Sequence, residues 1–106
     1  LLRGPKYAEP EEAISKDYHV RFYDLDMNGH VNNSKYLDWI FEVMGADFLT
    51  NHIPKKINLK YVKEVRPGGM ITSSYELNQL ESNHQVTSDG DINAQAKIIW
   101  QEINTD

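Results

Sequence analysis

The spacing of hydrophobic and polar positions predicts a strand, then a helix. Over residues 18–23 hydrophobic and polar side chains alternate with the two-residue period of a β-strand. Over residues 36–48 apolar side chains recur three and four positions apart, which is typical of an amphipathic helix of about four turns. Asn32 or Asn33 is the predicted N-cap of this helix, because asparagine accepts hydrogen bonds from free N–H groups there.

After the helix, the alternation of a strand returns and continues almost to the end of the chain. It runs over residues 57–61 and, beyond a turn at residues 66–69 with the sequence RPGG, over residues 71–77. Residues 81–91 are predicted to be a polar tip whose Asp89-Gly90 pair forms a tight hairpin turn. A last strand is predicted over residues 92–100. The order of one strand, one helix and three or four antiparallel strands predicts an α+β fold, with the helix packed along the concave face of a curved sheet.

The beginning of the chain has no such period. Residues 1–17 contain two prolines and mixed charges, which predicts a linker or N-terminal arm leading from something upstream. Residues 18–106 are predicted to form one domain, since a chain of this length can bury a single core.

The composition of the chain argues against several classes of site and partner. The chain has no cysteine, which excludes disulfides, thiolate metal sites and a cysteine nucleophile. A net charge of −5 argues against a nucleic-acid partner, because phosphate binding needs clustered cations. No apolar run approaches the roughly 20 residues of a membrane span, and no signal peptide is recognisable, which favours the cytoplasm. Five of the eleven basic residues nevertheless cluster, and they form either a solvated face or a docking surface for an acidic partner: Lys55, Lys56, Lys60, Lys63 and Arg66.

Residues 24–33, with the sequence DLDMNGHVNN, are the chemically richest stretch, and they allow three interpretations. A calcium loop fits the oxygen ligands at its first positions, but its twelfth position is Lys35, whose ammonium group would repel the ion. A plain turn and helix cap accounts for Gly29 and Asn33. It does not account for Asp26, Asn28 and His30 at spacing i, i+2, i+4, which points three side chains the same way in an extended chain.

A catalytic site is the third interpretation. A carboxylate, an amide and an imidazole next to a helix N-terminus offer an acid or base, a neutral donor and N–H groups for a developing oxyanion. Those are the requirements of acyl transfer.

Two motifs carry a family resemblance. DLDMNGHVNNSKYLDWIFE, followed by LKYVKEVRPGG, resembles the C-terminal half of the acyl-acyl-carrier-protein thioesterases of plants and bacteria. The resemblance is clear over residues 18–69, and the remaining strands match only by pattern. It implies a hot-dog fold, in which a curved antiparallel sheet wraps one helix, and it implies two such units in tandem.

The resemblance also implies the catalytic residues. The family's aspartate, asparagine and histidine fall on Asp26, Asn28 and His30, and its glutamate in the following strand falls on Glu64. Plant members carry cysteine where this chain has Val65. Strict alternation places Glu64 on the side of the sheet opposite Leu59 and Tyr61, so either a bulge redirects it or the site opens on that face.

The resulting hypothesis is hydrolysis of the fatty acyl thioester of acyl carrier protein, in fatty acid biosynthesis, without metal or cofactor. Asp26 and Asn28 would position and polarise the reacting groups, His30 would donate to them or orient them, and Glu64 would activate water. A covalent route through a carboxylate stays open. The expected partners are acyl carrier protein and an upstream hot-dog half or a second copy. The alternatives are a single-unit acyl-coenzyme A thioesterase and a non-catalytic acyl-binding module.

Overall fold

A five-stranded antiparallel sheet and two short helices form the part of the chain described by the computed structural model, residues 13–103. The strands are β1 (Ile14–His19), β2 (His52–Tyr61), β3 (Met70–Asn78), β4 (Glu81–Ser88) and β5 (Asp91–Glu102), and the helices are α1 (Asn33–Glu42) and α2 (Ala46–Asn51). The strand order in the sheet is β1-β3-β4-β5-β2. The predicted α+β class is confirmed, with four strands after the helices. Within residues 13–103, the helices lack the length and hydrophobicity that a transmembrane helix requires.

The core lies between α1 and one face of the sheet. Helix α1 packs across β3 and β4 and buries Tyr36, Trp39 and Ile40 there. Alternate side chains of the central strands meet this helix because successive residues of a strand point to opposite faces. Ala94 and Ala96 are fully buried on the same face.

The first strand begins earlier than predicted. Residues 14–17, assigned to the linker, belong to β1 and pair with β3, so the predicted domain boundary is wrong there. The strand also ends earlier, because residues Phe22–Asp24 form a 3₁₀ turn. In that turn the Asp24 carboxylate accepts a hydrogen bond of 2.7 Å from the backbone N–H of Arg21. Such local side-chain bonds compete with a strand ladder. Residues 1–12 of the predicted linker lie outside the described residues.

The predicted single helix is interrupted at Gly45. This glycine has a φ of +87°, in the left-handed region that favours glycine, and α2 begins at the next residue. At the other end of α1, Asn32 is the N-cap, and its side-chain oxygen accepts a hydrogen bond of 3.1 Å from Ser34 N–H. The alternative N-cap, Asn33, is the first residue of the helix.

The predicted polar tip is instead the central strand β4. Residues 81–88 alternate in burial, with Ser82, His84 and Val86 facing the core. The buried Ser82 hydroxyl is tolerated because it has partners on its own strand and on β5. Ser82 Oγ accepts a hydrogen bond of 2.8 Å from Trp100 Nε1 and lies 2.6 Å from His84 Nε2. The Asp89-Gly90 turn is confirmed, with φ of +52° and +80° as a type I′ hairpin requires.

Acid should weaken the fold through His84. Burial lowers the pKa of His84 from 6.5 to about 4, and its Nδ1 atom has no hydrogen-bond partner among the described residues. Between these two values the unfolded chain binds a proton that the folded chain does not, so stability falls as pH decreases. The full loss is about 3 kcal/mol, from the free-energy equivalent of the shift.

Chemical denaturation at pH 7 and pH 4.5 measures the larger part of this loss, because pH 4.5 is still slightly above the folded-state pKa of His84. His84→Gln removes the titrating group and keeps a polar side chain beside Ser82, so its stability should depend less on pH than that of the wild-type protein. Equal pH dependence of both proteins would contradict a contribution from His84.

Candidate active site

An open cleft of about 580 Å³ lies at the N-terminus of α1, between the loop before this helix and the segment after β2. All four residues predicted to be catalytic line it: Asp26, Asn28, His30 and Glu64. The start of α1 also lines the cleft, at Asn32 and Asn33. The positive end of the helix dipole therefore lies at this cleft.

A tight loop brings Asp26, Asn28 and His30 together. The Asp26 N–H donates to the His30 carbonyl oxygen at 2.7 Å, and Gly29 turns the chain with a φ of +78°. Leu25 and Val31 close the loop as an isolated antiparallel bridge. The prediction that an extended chain aligns the three side chains is therefore wrong. They converge because the chain folds back on itself.

The Asp26 carboxylate organises this loop. Its Oδ1 atom accepts hydrogen bonds from the backbone N–H of Asn28 at 2.9 Å and of His30 at 3.0 Å. Asn28 keeps its side chain free of hydrogen bonds within residues 13–103, and this side chain lines the cleft. Its amide can therefore donate to a ligand oxygen.

Glu64 reaches the loop from the other wall of the cleft. Glu64 Oε1 forms a hydrogen bond with His30 Nδ1, and both side chains are more than half exposed. Strict alternation placed Glu64 on the face of the sheet opposite Leu59 and Tyr61. That expectation does not apply, because β2 ends at Tyr61 and Glu64 lies in an irregular segment beyond the strand. The bulge in β2 lies between Pro54 and Lys56, at the opposite end of the strand.

Tyr36 is a site residue that the periodicity did not single out. It was assigned to the apolar face of the helix, yet its hydroxyl accepts a hydrogen bond of 3.1 Å from the Val65 N–H, next to Glu64. Burial raises the pKa of the Tyr36 hydroxyl, and the negative charge of Glu64 adds to this effect. The available signal was the hydroxyl of Tyr36, a polar atom on an otherwise apolar side chain within the motif DLDMNGHVNNSKYLDWIFE.

The structure separates the five clustered cations. Lys55, Lys56 and Lys60 are exposed along β2. Lys63 forms an ion pair of 2.6 Å with Asp91, and Lys63 and Arg66 line a small cleft together with Asp89 and Asp91. Among residues 13–103, the cations of the cluster that form no ion pair and share no cleft with an aspartate therefore lie along β2.

Lys35 has a different partner from the one that a calcium loop requires. Its Nζ lies 3.4 Å from Asp24 Oδ1, and Asp24 is buried. The Asp26 carboxylate is engaged by backbone N–H groups. The contacts of the Asp24 and Asp26 carboxylates therefore belong to the turn that caps α1.

A family profile and several curated proteins match this chain. The profile of the acyl-ACP thioesterase C-terminal domain matches residues 7–102. Oleoyl-acyl carrier protein thioesterase 2 of Arabidopsis thaliana, a chloroplastic protein, is 32% identical over 88 residues, which cover 83% of this chain and 23% of that protein. Dodecanoyl-[acyl-carrier-protein] hydrolase of Cinnamomum camphora, also chloroplastic, is 36% identical over 53 residues, covering 50% of this chain and 14% of that protein.

Solved structures of other proteins share the fold of this chain. A proposed oleoyl thioesterase from Lactobacillus plantarum superposes with a TM-score of 0.86 at 28% identity, covering 99% of this chain and 44% of that one. The 12:0-ACP thioesterase from Umbellularia californica gives a TM-score of 0.81 at 23% identity, covering 96% and 40%. The predicted hot-dog fold is confirmed. The chain spans between a fifth and a quarter of the length of the first curated relatives that it matches.

Proposed function

Since the chain belongs to the family of the acyl-ACP thioesterase C-terminal domain, we propose that the protein hydrolyses the thioester between a fatty acyl group and acyl carrier protein and releases the free fatty acid. The observation that carries this proposal is the hydrogen bond between His30 and Glu64 in a cleft that also holds the free amide of Asn28. A base, a proton carrier and a neutral donor are the groups that thioester hydrolysis needs.

The chemistry follows from these positions. Glu64 accepts a proton from a water molecule, whose oxygen attacks the thioester carbonyl carbon. The carbonyl oxygen becomes an oxyanion, and the Asn28 amide donates a hydrogen bond to it beside the positive end of α1. The carbon–sulfur bond then breaks, and the proton that Glu64 took from water is relayed through the hydrogen-bonded His30 to the departing sulfur, which leaves as a thiol and restores the Glu64 carboxylate. Asp26 holds Asn28 and His30 in place and contributes its negative charge.

Acyl carrier protein is the proposed partner, and the cations along β2 are its proposed docking surface. Reversing Lys56 and Lys60 to glutamate should raise the KM for a carrier-linked acyl group about tenfold or more and leave kcat unchanged, because only the encounter with an acidic partner weakens. The rate of fatty acid release from acyl carrier protein, from acyl-coenzyme A and from a small thioester measures the effect.

Lys16→Glu is the matched control for these reversals, since Lys16 is exposed on β1 at the other edge of the sheet. An equal rise in KM for the small thioester would contradict docking at Lys56 and Lys60. A lack of turnover of carrier-linked substrate by the native-length wild-type protein would contradict the function itself, and preferred turnover of acyl-coenzyme A would favour that substrate class.

A second hot-dog unit is the proposed structural partner, either an upstream half or a second copy. Strand β2 is ten residues long and lies at one edge of the sheet, where Ile53, Ile57 and Tyr61 remain substantially exposed. An edge strand with exposed apolar side chains is a template for pairing with another sheet.

Loss of this pairing should be visible in Ile57→Glu. In the native-length protein, we expect this substitution to separate or destabilise the two units by about 1–3 kcal/mol, the usual cost of an unpartnered charge at an apolar contact. Light scattering and thermal unfolding measure the effect, with Ile14→Glu at the β1 edge as the control. A stable monomer of a single hot-dog unit with full thioesterase activity would contradict the proposal.

The cellular compartment stays a prediction. The sequence favoured the cytoplasm, whereas the plant relatives are named as chloroplastic proteins. Fractionation of the source cells would decide between these locations.

A further inference from the structure

Asn93 occupies an irregular position in β5. Val86 pairs with Ala94 and Thr87 pairs with Ile92, so the β4–β5 register shifts there and leaves Asn93 without a partner on β4. Asn93 and Ala94 are both buried in succession, which breaks the alternation of the strand. A β-bulge of this kind redirects one side chain, and bulges are frequent beside active sites.

The redirected Asn93 binds the segment that carries Glu64. Asn93 Nδ2 donates to the Lys63 carbonyl oxygen at 3.0 Å. Asn93 Oδ1 accepts from Ser88 Oγ at 2.7 Å, so both ends of the amide are engaged. The backbone oxygen of Asn93 accepts from the N–H groups of Val62 at 2.8 Å and Lys63 at 3.2 Å. A side chain that is only 2% exposed therefore ties the β4–β5 hairpin to the segment after β2.

Tyr36 holds the same segment from the helix side. The Val65 N–H that donates to the Tyr36 hydroxyl belongs to the peptide group that follows Glu64. The Lys63 carbonyl that accepts from Asn93 belongs to the peptide group that precedes Glu64. The two side chains thus engage both peptide groups that flank the Glu64 Cα atom.

We propose that Asn93 and Tyr36 are positioning residues, which clamp the backbone on both sides of Glu64 and so direct its carboxylate towards His30. The proposal rests on the proposed hydrolysis, in which Glu64 activates water. Glu64 needs such a clamp because β2 has ended, so no strand ladder fixes its backbone, and because its side chain is more than half exposed. A displacement of about 1 Å at a reacting group can cost a factor of about 10² in rate.

Asn93→Leu is the principal test, because leucine has nearly the same shape and forms none of the side-chain hydrogen bonds. We expect kcat to fall about tenfold or more with little change in KM, since substrate binding is retained while the base is misplaced. Tyr36→Phe should act in the same direction. Ser73→Ala is the matched control: Ser73 is equally buried and donates to the Trp39 carbonyl oxygen at 2.9 Å, away from Glu64. It should keep its kcat.

A double-mutant cycle separates positioning from a general loss of structure. If Asn93 acts through Glu64, Asn93→Leu should lower kcat no further in a Glu64→Gln background. Additive losses, or a similar fall in kcat for Ser73→Ala, would overturn the proposal.

A spectroscopic measurement without substrate keeps this test independent of the proposed function. In the native-length protein with labelled histidine, the His30 ring resonance should move in Asn93→Leu towards its position in Glu64→Gln, because the first substitution displaces the Glu64 carboxylate from His30 and the second replaces that carboxylate by an amide. Ser73→Ala should leave it in place. An unmoved resonance in Asn93→Leu would overturn the clamp, whereas absence of hydrolysis by the wild-type protein would overturn only the function.

Discussion

Glu64→Gln should lower kcat for carrier-linked substrate by about 10²-fold or more, in the usual range for a positioned base, with little change in KM. Glutamine keeps the size of the side chain and can still contact His30, but it cannot accept a proton from water. Glu102→Gln is the control, since Glu102 lies at the exposed end of β5, and it should retain its activity. Near-normal turnover by Glu64→Gln would remove the glutamate from the mechanism.

The Glu64→Gln variant also distinguishes water attack from a covalent route. If Asp26 attacked the thioester, and Glu64 served only the later hydrolysis, an acyl-enzyme would accumulate in this variant. We expect none, because one Asp26 oxygen is already engaged by two backbone N–H groups and Glu64 is hydrogen-bonded to His30. Intact-mass measurement after mixing with substrate would reveal the added acyl group and so contradict direct attack by water.

Asp26→Asn should likewise lower kcat by about 10²-fold. Asparagine retains the oxygen that accepts from the Asn28 and His30 N–H groups, so the loop is expected to keep its shape. What is lost is the negative charge beside Asn28 and His30, and preorganised charges and dipoles are usually the largest single contribution to catalysis of acyl transfer. Steady-state kinetics on the native-length protein gives the loss.

Asp26→Ala is the companion variant. It removes the charge and leaves the two N–H groups without this acceptor, so we expect a comparable loss of kcat together with about 1–3 kcal/mol of stability. Severe loss in Asp26→Ala with normal turnover in Asp26→Asn would restrict Asp26 to its role in the loop. Thermal unfolding of both variants separates the two contributions.

The candidate site shows which residues a local sequence pattern can predict and which it cannot. The motif that contains Asp26, Asn28 and His30 was recognisable because its residues are close in the sequence, and the hydrogen bonds to the Asp26 carboxylate span four residues or fewer. Glu64 was assigned to the candidate site only by resemblance. The strand alternation through Leu59 and Tyr61 predicted the wrong face of the sheet for its side chain. Asn93 had no sequence signal, since a single asparagine in a strand does not indicate a bulge or its partner.

By itself, the sequence determined the elements whose stabilising contacts are local: the period of the helix, an N-cap at Asn32 or Asn33, of which the structure has Asn32, and the Asp89-Gly90 turn. Only the tertiary structure decided that the polar residues of β4 form a central strand, because the partner of Ser82 is Trp100, 18 residues away. It also decided that Glu64 faces His30, 34 residues away. The physical reason is the same in both cases: a buried or unpaired polar group is satisfied by whatever group the folded chain brings near it, and spacing along the chain does not encode that neighbour.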